Sequence, residues 1–344
     1  MDAIHRRDRF VGLMMGLYVG DCLGKPLRGK NRFQIEKKYG NLEALVQGDW
    51  KDLRPGVLSF HGATAAAAAG SLRANRGVEP LDLVCRVTQA ANGQAIPQSA
   101  DVLDLFRKLA EDPEAAPRIS SEYWAATGGT FADNGAMARG LMVIPVNRYD
   151  MPVLWRDTIL TTRLTHADPR AIEASLVLNF IAYQVLHRRF EDDLTRESAS
   201  LLLALRKEPD YQNNVFTFDG RALREAAAGR PEASYLEAPD AVLDVLLRFE
   251  SLTEEDLATS GACEHTLAVA CYALLRAESF AHGLQIALRV GGETAAQGAI
   301  AGALLGARFG LREIPPQWLR VLKQQAQLAT LAETFFTEGE REQA

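Results

Sequence analysis

The side chains able to hold a metal or run nucleophilic chemistry are scattered along this 344-residue sequence. Its four cysteines, Cys22, Cys85, Cys263 and Cys271, form no C-x-x-C pair, and no two of its six histidines are four residues apart. A structural zinc site needs such clusters, so one built from His61, His166 and a cysteine has nothing to support it. His265 beside Glu264 likewise lacks ligand spacing. Any acid–base or anion-binding chemistry must come from single residues that the fold gathers from distant segments.

Composition narrows the classes further. Thirty-eight basic against 44 acidic side chains give a formal charge of -6, which argues against a protein built to grip nucleic-acid phosphates. Hydrophobic residues at 47% and charged residues at 24% describe an ordinary globular chain. No apolar run of about 18 residues marks a membrane span. The opening MDAIHRRDRF carries charges where a signal peptide needs its apolar stretch. With dispersed cysteines, the expectation is a cytoplasmic protein with no membrane partner.

The elements that must position the chemistry are helices. Ala, Leu, Arg and Glu dominate, and strand-type alternation is rare. Asp168-Pro169 opens a helix, with Asp168 as N-cap and Ile172, Leu176, Phe180 and Tyr183 at helical spacing. Ser251-x-x-Glu254 and Thr294-x-x-Gln297 read as capping boxes. Segments 47–58, 111–120, 207–216 and 228–239 read as loops. Two glycine ladders stand out: Gly12, Gly16, Gly20 and Gly24 near the start, and Gly298, Gly302, Gly306 and Gly310 near the end. Each interior helical glycine costs about 1 kcal/mol relative to Ala, so a row of them needs compensation. Spacing of four puts them on one ridge, where another backbone can approach closely; alternatively Gly20, Gly24 or Gly310 ends its helix. The expectation is one all-α domain over 1–344, with a helical core of about 4–325, closed by its first and last helices.

These segments carry a resemblance. RFVGLMMGLYVGDCLGKPL resembles the opening of the ADP-ribosylglycohydrolases, and RVGGETAAQGAIAGALLGARFG resembles their C-terminal G-G-D-T-D-T-x-x-x-I-A-G-A motif. DNGAMARG at 133–140 is similar to their N-G-A-x-x-R segment, and LTHADPRAIEASL at 164–176 to their T-H-x-D-P-x-A helix start. Four segments in the right order make the match specific. It implies a single, orthogonally packed all-α domain. It also implies an ancestral reaction: hydrolysis of the glycosidic bond between ADP-ribose and a protein side chain, assisted by two magnesium ions.

The residues implied as metal ligands have changed. The family's T-D-D falls on Ser59, Phe60 and His61; its D-T-D-T falls on Glu293, Thr294, Ala295 and Ala296; a Glu after the first helix becomes Arg28. No carboxylate lies anywhere in 53–78. Magnesium wants hard oxygen donors, and a cation set about 4 Å from an arginine costs about 4 kcal/mol at an effective dielectric near 20. A di-magnesium centre is therefore not expected, nor any other cofactor. Arg28, Lys25 and His61 instead suggest an anion site at the helix starting at Thr294, with Glu293 as a lone acid or base; Arg28 pairing with Glu293 or Asp21 is the alternative. Asp21 is a catalytic candidate or a buried carboxylate bonded to a helix end. Ser59, Asn134 and His166 line the ligand site or serve as caps and turns, and Arg139 is structural. The partner implied is an ADP-ribose-like or other phosphate-bearing small molecule, or an ADP-ribosylated protein. Two functions remain: a family hydrolase, including a metal-independent one using Glu293, or a catalytically silent binding member.

Overall fold

The computed structural model describes residues 3–40, 56–93, 98–187, 193–208, 211 and 240–341. Helix α1 (Ala3–Gly24) and α15 (Thr294–Phe309) form the centre. Between them in sequence run α2 (Arg32–Tyr39), α3 (Phe60–Asn75), α4 (Pro80–Asn92), α5 (Ala100–Glu111), α6 (Ala116–Ala126), the single turns α7 (Met137–Gly140) and α8 (Ile144–Asn147), α9 (Met151–Arg163), α10 (Pro169–His187), α11 (Leu194–Leu205), α12 (Asp240–Arg248), α13 (Cys263–Arg276) and α14 (Phe280–Arg289). Helices α16 (Pro316–Val321) and α17 (Gln325–Arg341) finish the chain. The described residues contain no strand, only the isolated bridges Asn31–Gly291 and Asp133–Ala262. No described helix is long and apolar enough to cross a membrane. The all-α expectation holds.

The glycine ladders explain the centre. From Phe10 to Gly24, α1 is buried on every side, as a helix apolar all round must be. It runs antiparallel to α15, and a Cβ placed on Gly12, Gly16 or Gly20 would strike the carbonyl of Gly306, Gly302 or Gly298. Placed on Gly24 it would strike the carbonyl of Thr294. All lie well inside the 3.0 Å that real Cβ contacts respect. The absent side chains let two backbones touch, and dispersion over that length offsets the poor helix propensity. Gly310 ends α15 at φ +90°, the alternative named for it, with its backbone still against Gly12.

Other expectations are corrected. Segment 111–120 is not a loop: α5 ends at Glu111, Pro113–Ala115 forms a 3-10 turn, and α6 begins at Ala116. Pro113 and Pro117 occupy first turns, where a missing N–H is harmless. The capping box at 251–254 forms two residues later, between Thr253 and Asp256. The box expected at Thr294 and Gln297 does not form; the Thr294 hydroxyl donates to the Gly24 carbonyl at 2.7 Å, welding α15 to α1. Helix α17 carries the core beyond 325, burying Leu328, Ala332 and Phe335. Asp168 does cap α10, accepting from Arg170 N at 2.9 Å. Of the expected loops, residues 47–55 of 47–58, residues 209–210 and 212–216 of 207–216, and all of 228–239 lie outside the described residues.

The ridge contact predicts a graded response. Gly20→Ala or Gly302→Ala is expected to lose at least about 3 kcal/mol of unfolding free energy, because neither backbone can retreat. Gly29→Ala, at φ +77° with open space around it, is expected to lose only about 1 kcal/mol, the cost of a left-handed residue with a side chain. Urea unfolding of the three variants checks this; equal losses would dismiss the ridge as the central constraint.

Candidate functional site

The α1–α15 weld fixes where the chemistry collects. Beyond Gly24 the chain turns through a 3-10 segment, Lys25–Leu27, and then pairs with the approach to α15. Gly29 N donates to Gly292 O, and Gly292 N to Lys30 O, both at 2.9 Å. That apposition sets Arg28 beside Glu293, with Nε to Oε2 at 2.7 Å and the terminal nitrogen to Oε1 at 3.3 Å. The pair is partly buried, and both carboxylate oxygens are engaged. Arg28 therefore takes the pairing named as its alternative.

A second carboxylate supports the next wall. Asp21, fully buried in α1, accepts from Ser59 N at 2.6 Å, from the Ser59 hydroxyl, and from Gly62 N at 3.0 Å. It thereby caps α3, whose N-cap is Ser59. Lys25 turns inward, donating to Val57 O at 3.0 Å and Leu58 O at 3.3 Å. His61, on the first turn of α3, is buried with no partner for Nδ1. Burial pushes its pKa down to about 3, with Arg28, Arg139 and His166 acting in the same direction and Asp133 against it. The three basic groups expected to converge on an anion are thus an ion-paired arginine, a lysine held by carbonyls and a neutral imidazole.

The third wall comes from the α9–α10 turn and the 131–134 segment. Asn134 N donates to Gly261 O at 2.9 Å and Cys263 N to Ala132 O at 3.0 Å. Gly261 in turn stands against Glu293 Cγ. The Asn134 amide donates to Thr266 Oγ1 at 2.8 Å, tying this segment to α13. His166 is buried, with Nδ1 2.8 Å from Thr165 Oγ1 and Nε2 2.7 Å from Asp133 Oδ1. Arg139 donates to the same Thr165 hydroxyl at 2.7 Å and lies over the Phe106 ring. Burial lowers its pKa to about 10.

Asp133 is the residue that the sequence reading missed. Its carboxylate joins His166 to the Gly135 N–H at 2.6 Å, an Asx turn that the D-N-G triplet announces locally. The histidine it binds lies 33 residues away, and nothing in the spacing signals that. At the positions matched to the magnesium ligands stand a serine bonded to Asp21, an aromatic ring packed on Phe106, a neutral imidazole, a paired glutamate and two buried alanines. Among the described residues, no three His, Cys, Asp or Glu side chains converge as a metal site would require.

Two buried groups give opposing pH slopes. Burial raises the Asp21 carboxyl to about 6, against the Ser59 and Gly62 hydrogen bonds and the Lys25 charge. A raised carboxyl stabilises the fold at low pH, and this contribution, about 3 kcal/mol, fades as pH climbs from 3.8 through 6. His61 does the reverse: its depressed pKa gives stability that is full above 6.5 and is lost, by about 5 kcal/mol, as pH falls toward 3. Urea unfolding across pH 4–7.5 should therefore show stability climbing with pH between 4 and 6 for Asp21→Asn, where His61 acts alone, and falling over the same range for His61→Gln, where Asp21 acts alone; unchanged slopes would disprove these assignments.

Comparison with known proteins agrees with the fold. The family model described as ADP-ribosylglycohydrolase matches residues 2–344. ADP-ribosyl-[dinitrogen reductase] glycohydrolase of Rhodospirillum rubrum is 23% identical over 320 residues, 92% of this chain and 90% of that one. ADP-ribosylhydrolase ARH3 of Gallus gallus is 24% identical over 340 residues, covering 90% and 88%. ADP-ribosylarginine hydrolase Tri1 of Serratia proteamaculans (strain 568) is 21% identical over 333 residues, covering 96% and 79%. A solved structure titled "ADP-ribosylglycohydrolase-related protein complex" superposes with a TM-score of 0.71 at 23% identity, covering 97% of this chain and 99% of that one. A family match running from the second residue to the last makes this chain a member of the ADP-ribosylglycohydrolase family.

Proposed function

We propose that this chain uses the family's cleft to bind an ADP-ribose-like, phosphate-bearing ligand, free or carried on a modified protein, and that it does not perform the two-magnesium hydrolysis. The observation that carries this reading is the state of Glu293. It is the one carboxylate at the positions matched to the family's metal ligands, and Arg28 holds both its oxygens. The remaining donors do not fit hard octahedral cations, which need several oxygen ligands apiece: Phe60, Ala295 and Ala296 offer none, and Ser59 is committed to Asp21. An ion at Glu293 would also meet the Arg28 guanidinium, at about 8 kcal/mol for a divalent charge about 4 Å away at an effective dielectric near 20.

The same pairing speaks against Glu293 as a lone acid in a metal-independent glycosidase, since both its oxygens already accept from a guanidinium. The binding reading draws on family membership and on relatives named for ADP-ribosyl substrates. Fold alone does not transmit activity, so the cleft's own residues decide the case.

Calorimetry tests it. Magnesium alone should give no saturable heat, and ADP-ribose should bind equally well with and without EDTA. Release of ADP-ribose from modified arginine or serine should stay at background for both the native chain and Glu293→Ala. Micromolar magnesium binding, or hydrolysis that chelator abolishes, would overturn the proposal.

A further inference from the structure

Four carboxylates anchor the segments described above, and their hydrogen bonds separate them. Asp21 gives both oxygens to the start of α3. Glu293 gives both to Arg28. Asp168 gives Oδ1 to Arg170 and Oδ2 to the Trp124 indole N–H and Arg170. Asp133 differs. Its Oδ1 accepts from Gly135 N at 2.6 Å and meets His166 Nε2 at 2.7 Å, while no hydrogen bond from a described residue reaches Oδ2. Its side chain keeps 26% of its surface exposed, the same share as Glu293, whereas His166 behind it keeps 1%.

The groups behind Asp133 hold it in one orientation. Arg139 donates to Thr165 Oγ1, which also lies 2.8 Å from His166 Nδ1 and 3.5 Å from Thr162 O, while the Asp133 carboxylate, an acceptor only, faces Nε2. His166 then carries its proton on Nε2 and donates it to Asp133, a tautomer assigned from the network. The Phe131 ring stacks on the imidazole at 5.2 Å and 23°, fixing its plane. Burial by itself would raise the Asp133 carboxyl, but His166 and the Gly135 N–H hold it below the ordinary carboxylate range. The carboxylate also lies beside the positions where the family's metal ligands would stand. Its segment is braced on Gly261, which abuts Glu293, and His61 senses its charge.

From this geometry we infer that Asp133 is the ligand-contacting carboxylate of the cleft, its open Oδ2 accepting hydrogen bonds from the vicinal hydroxyls of a sugar. This rests on the proposed binding of an ADP-ribose-like ligand and names the group that grips its terminal sugar without a cation. A carboxylate oxygen is a strong, charge-assisted acceptor for hydroxyls, and one already fixed through its other oxygen loses little freedom on binding. His166 acts as a positioning residue, through Asp133.

The test is calorimetry in EDTA with two probes: ADP-ribose, and ADP, which lacks the terminal sugar. The native chain should bind ADP-ribose at least about tenfold more tightly than ADP. Asp133→Asn should erase that ratio by weakening ADP-ribose, with no loss of ADP affinity, and His166→Phe should erase it likewise. His166→Asn, whose amide can still donate to Oδ1, should keep part of it. Asp133→Asn binding ADP-ribose as tightly as the native chain, or losing ADP and ADP-ribose in equal measure, overturns the assignment and leaves the wider proposal standing. Failure of the native chain to bind either probe overturns both.

Discussion

Direct contact between the backbones of α1 and α15 is the constraint from which the rest of the structure follows. Each glycine gives up the side chain that would hold the helices apart, so the carbonyl of one helix rests on the α-carbon of the other over four successive turns. Residues nearly 300 apart are thereby locked in register before any functional group is considered. The register is discrete, because a slip of one residue would drive a side chain into a carbonyl. The Thr294 hydroxyl on Gly24 O marks where the ridge ends and the site begins. The antiparallel apposition of 28–31 with 290–293 continues the same alignment, and it brings Arg28 to Glu293.

The ladders were legible because they are periodic and because glycine in a helix interior is unfavourable enough to demand a reason. The Asp168 cap was legible for a similar cause: one local hydrogen bond and one proline suffice to start a helix. What failed were local patterns overruled by packing. Thr294 has the spacing of a capping box with Gln297, yet its hydroxyl is drawn to a carbonyl of another helix, and the Gln297 amide is left buried without a partner. Segment 111–120 carries two prolines and reads as a loop, but both occupy first turns that tolerate them. Asp133 escaped notice because its meaning depends on a histidine 33 residues away, brought near by α9 and α10; a sequence shows the turn at D-N-G and not the partner.

Electrostatics explains how the cleft can persist without the charges its relatives' motif implies. Several carboxylates facing one space without a cation would repel one another in a medium of low dielectric. This chain resolves the problem residue by residue. By the motif match, phenylalanine, histidine and alanine stand at positions where acids would be expected, and burial keeps His61 neutral. The single acid kept there is matched by Arg28, one of two arginines near His61 whose charges oppose its protonation. Lys25, buried beside Asp21, adds a nearby positive charge that lowers the cost of ionising that carboxyl.

That resolution leaves an asymmetry with chemical meaning. A charge neutralised through both its oxygens, as in Glu293, is a brace: it joins two segments and offers little to an incoming ligand. A carboxylate held through one oxygen, as in Asp133, is both oriented and available. The difference comes from the donors around each, a two-pronged guanidinium in one case and an imidazole N–H with a backbone N–H on the same oxygen in the other. A metal-binding cleft distributes its acids so that ions hold them apart and substrate hydroxyls meet the ions. Under the proposed binding, where arginine and histidine do the holding, the hydroxyls meet protein oxygen directly, and the geometry of the hydrogen-bond donors decides which oxygen that is.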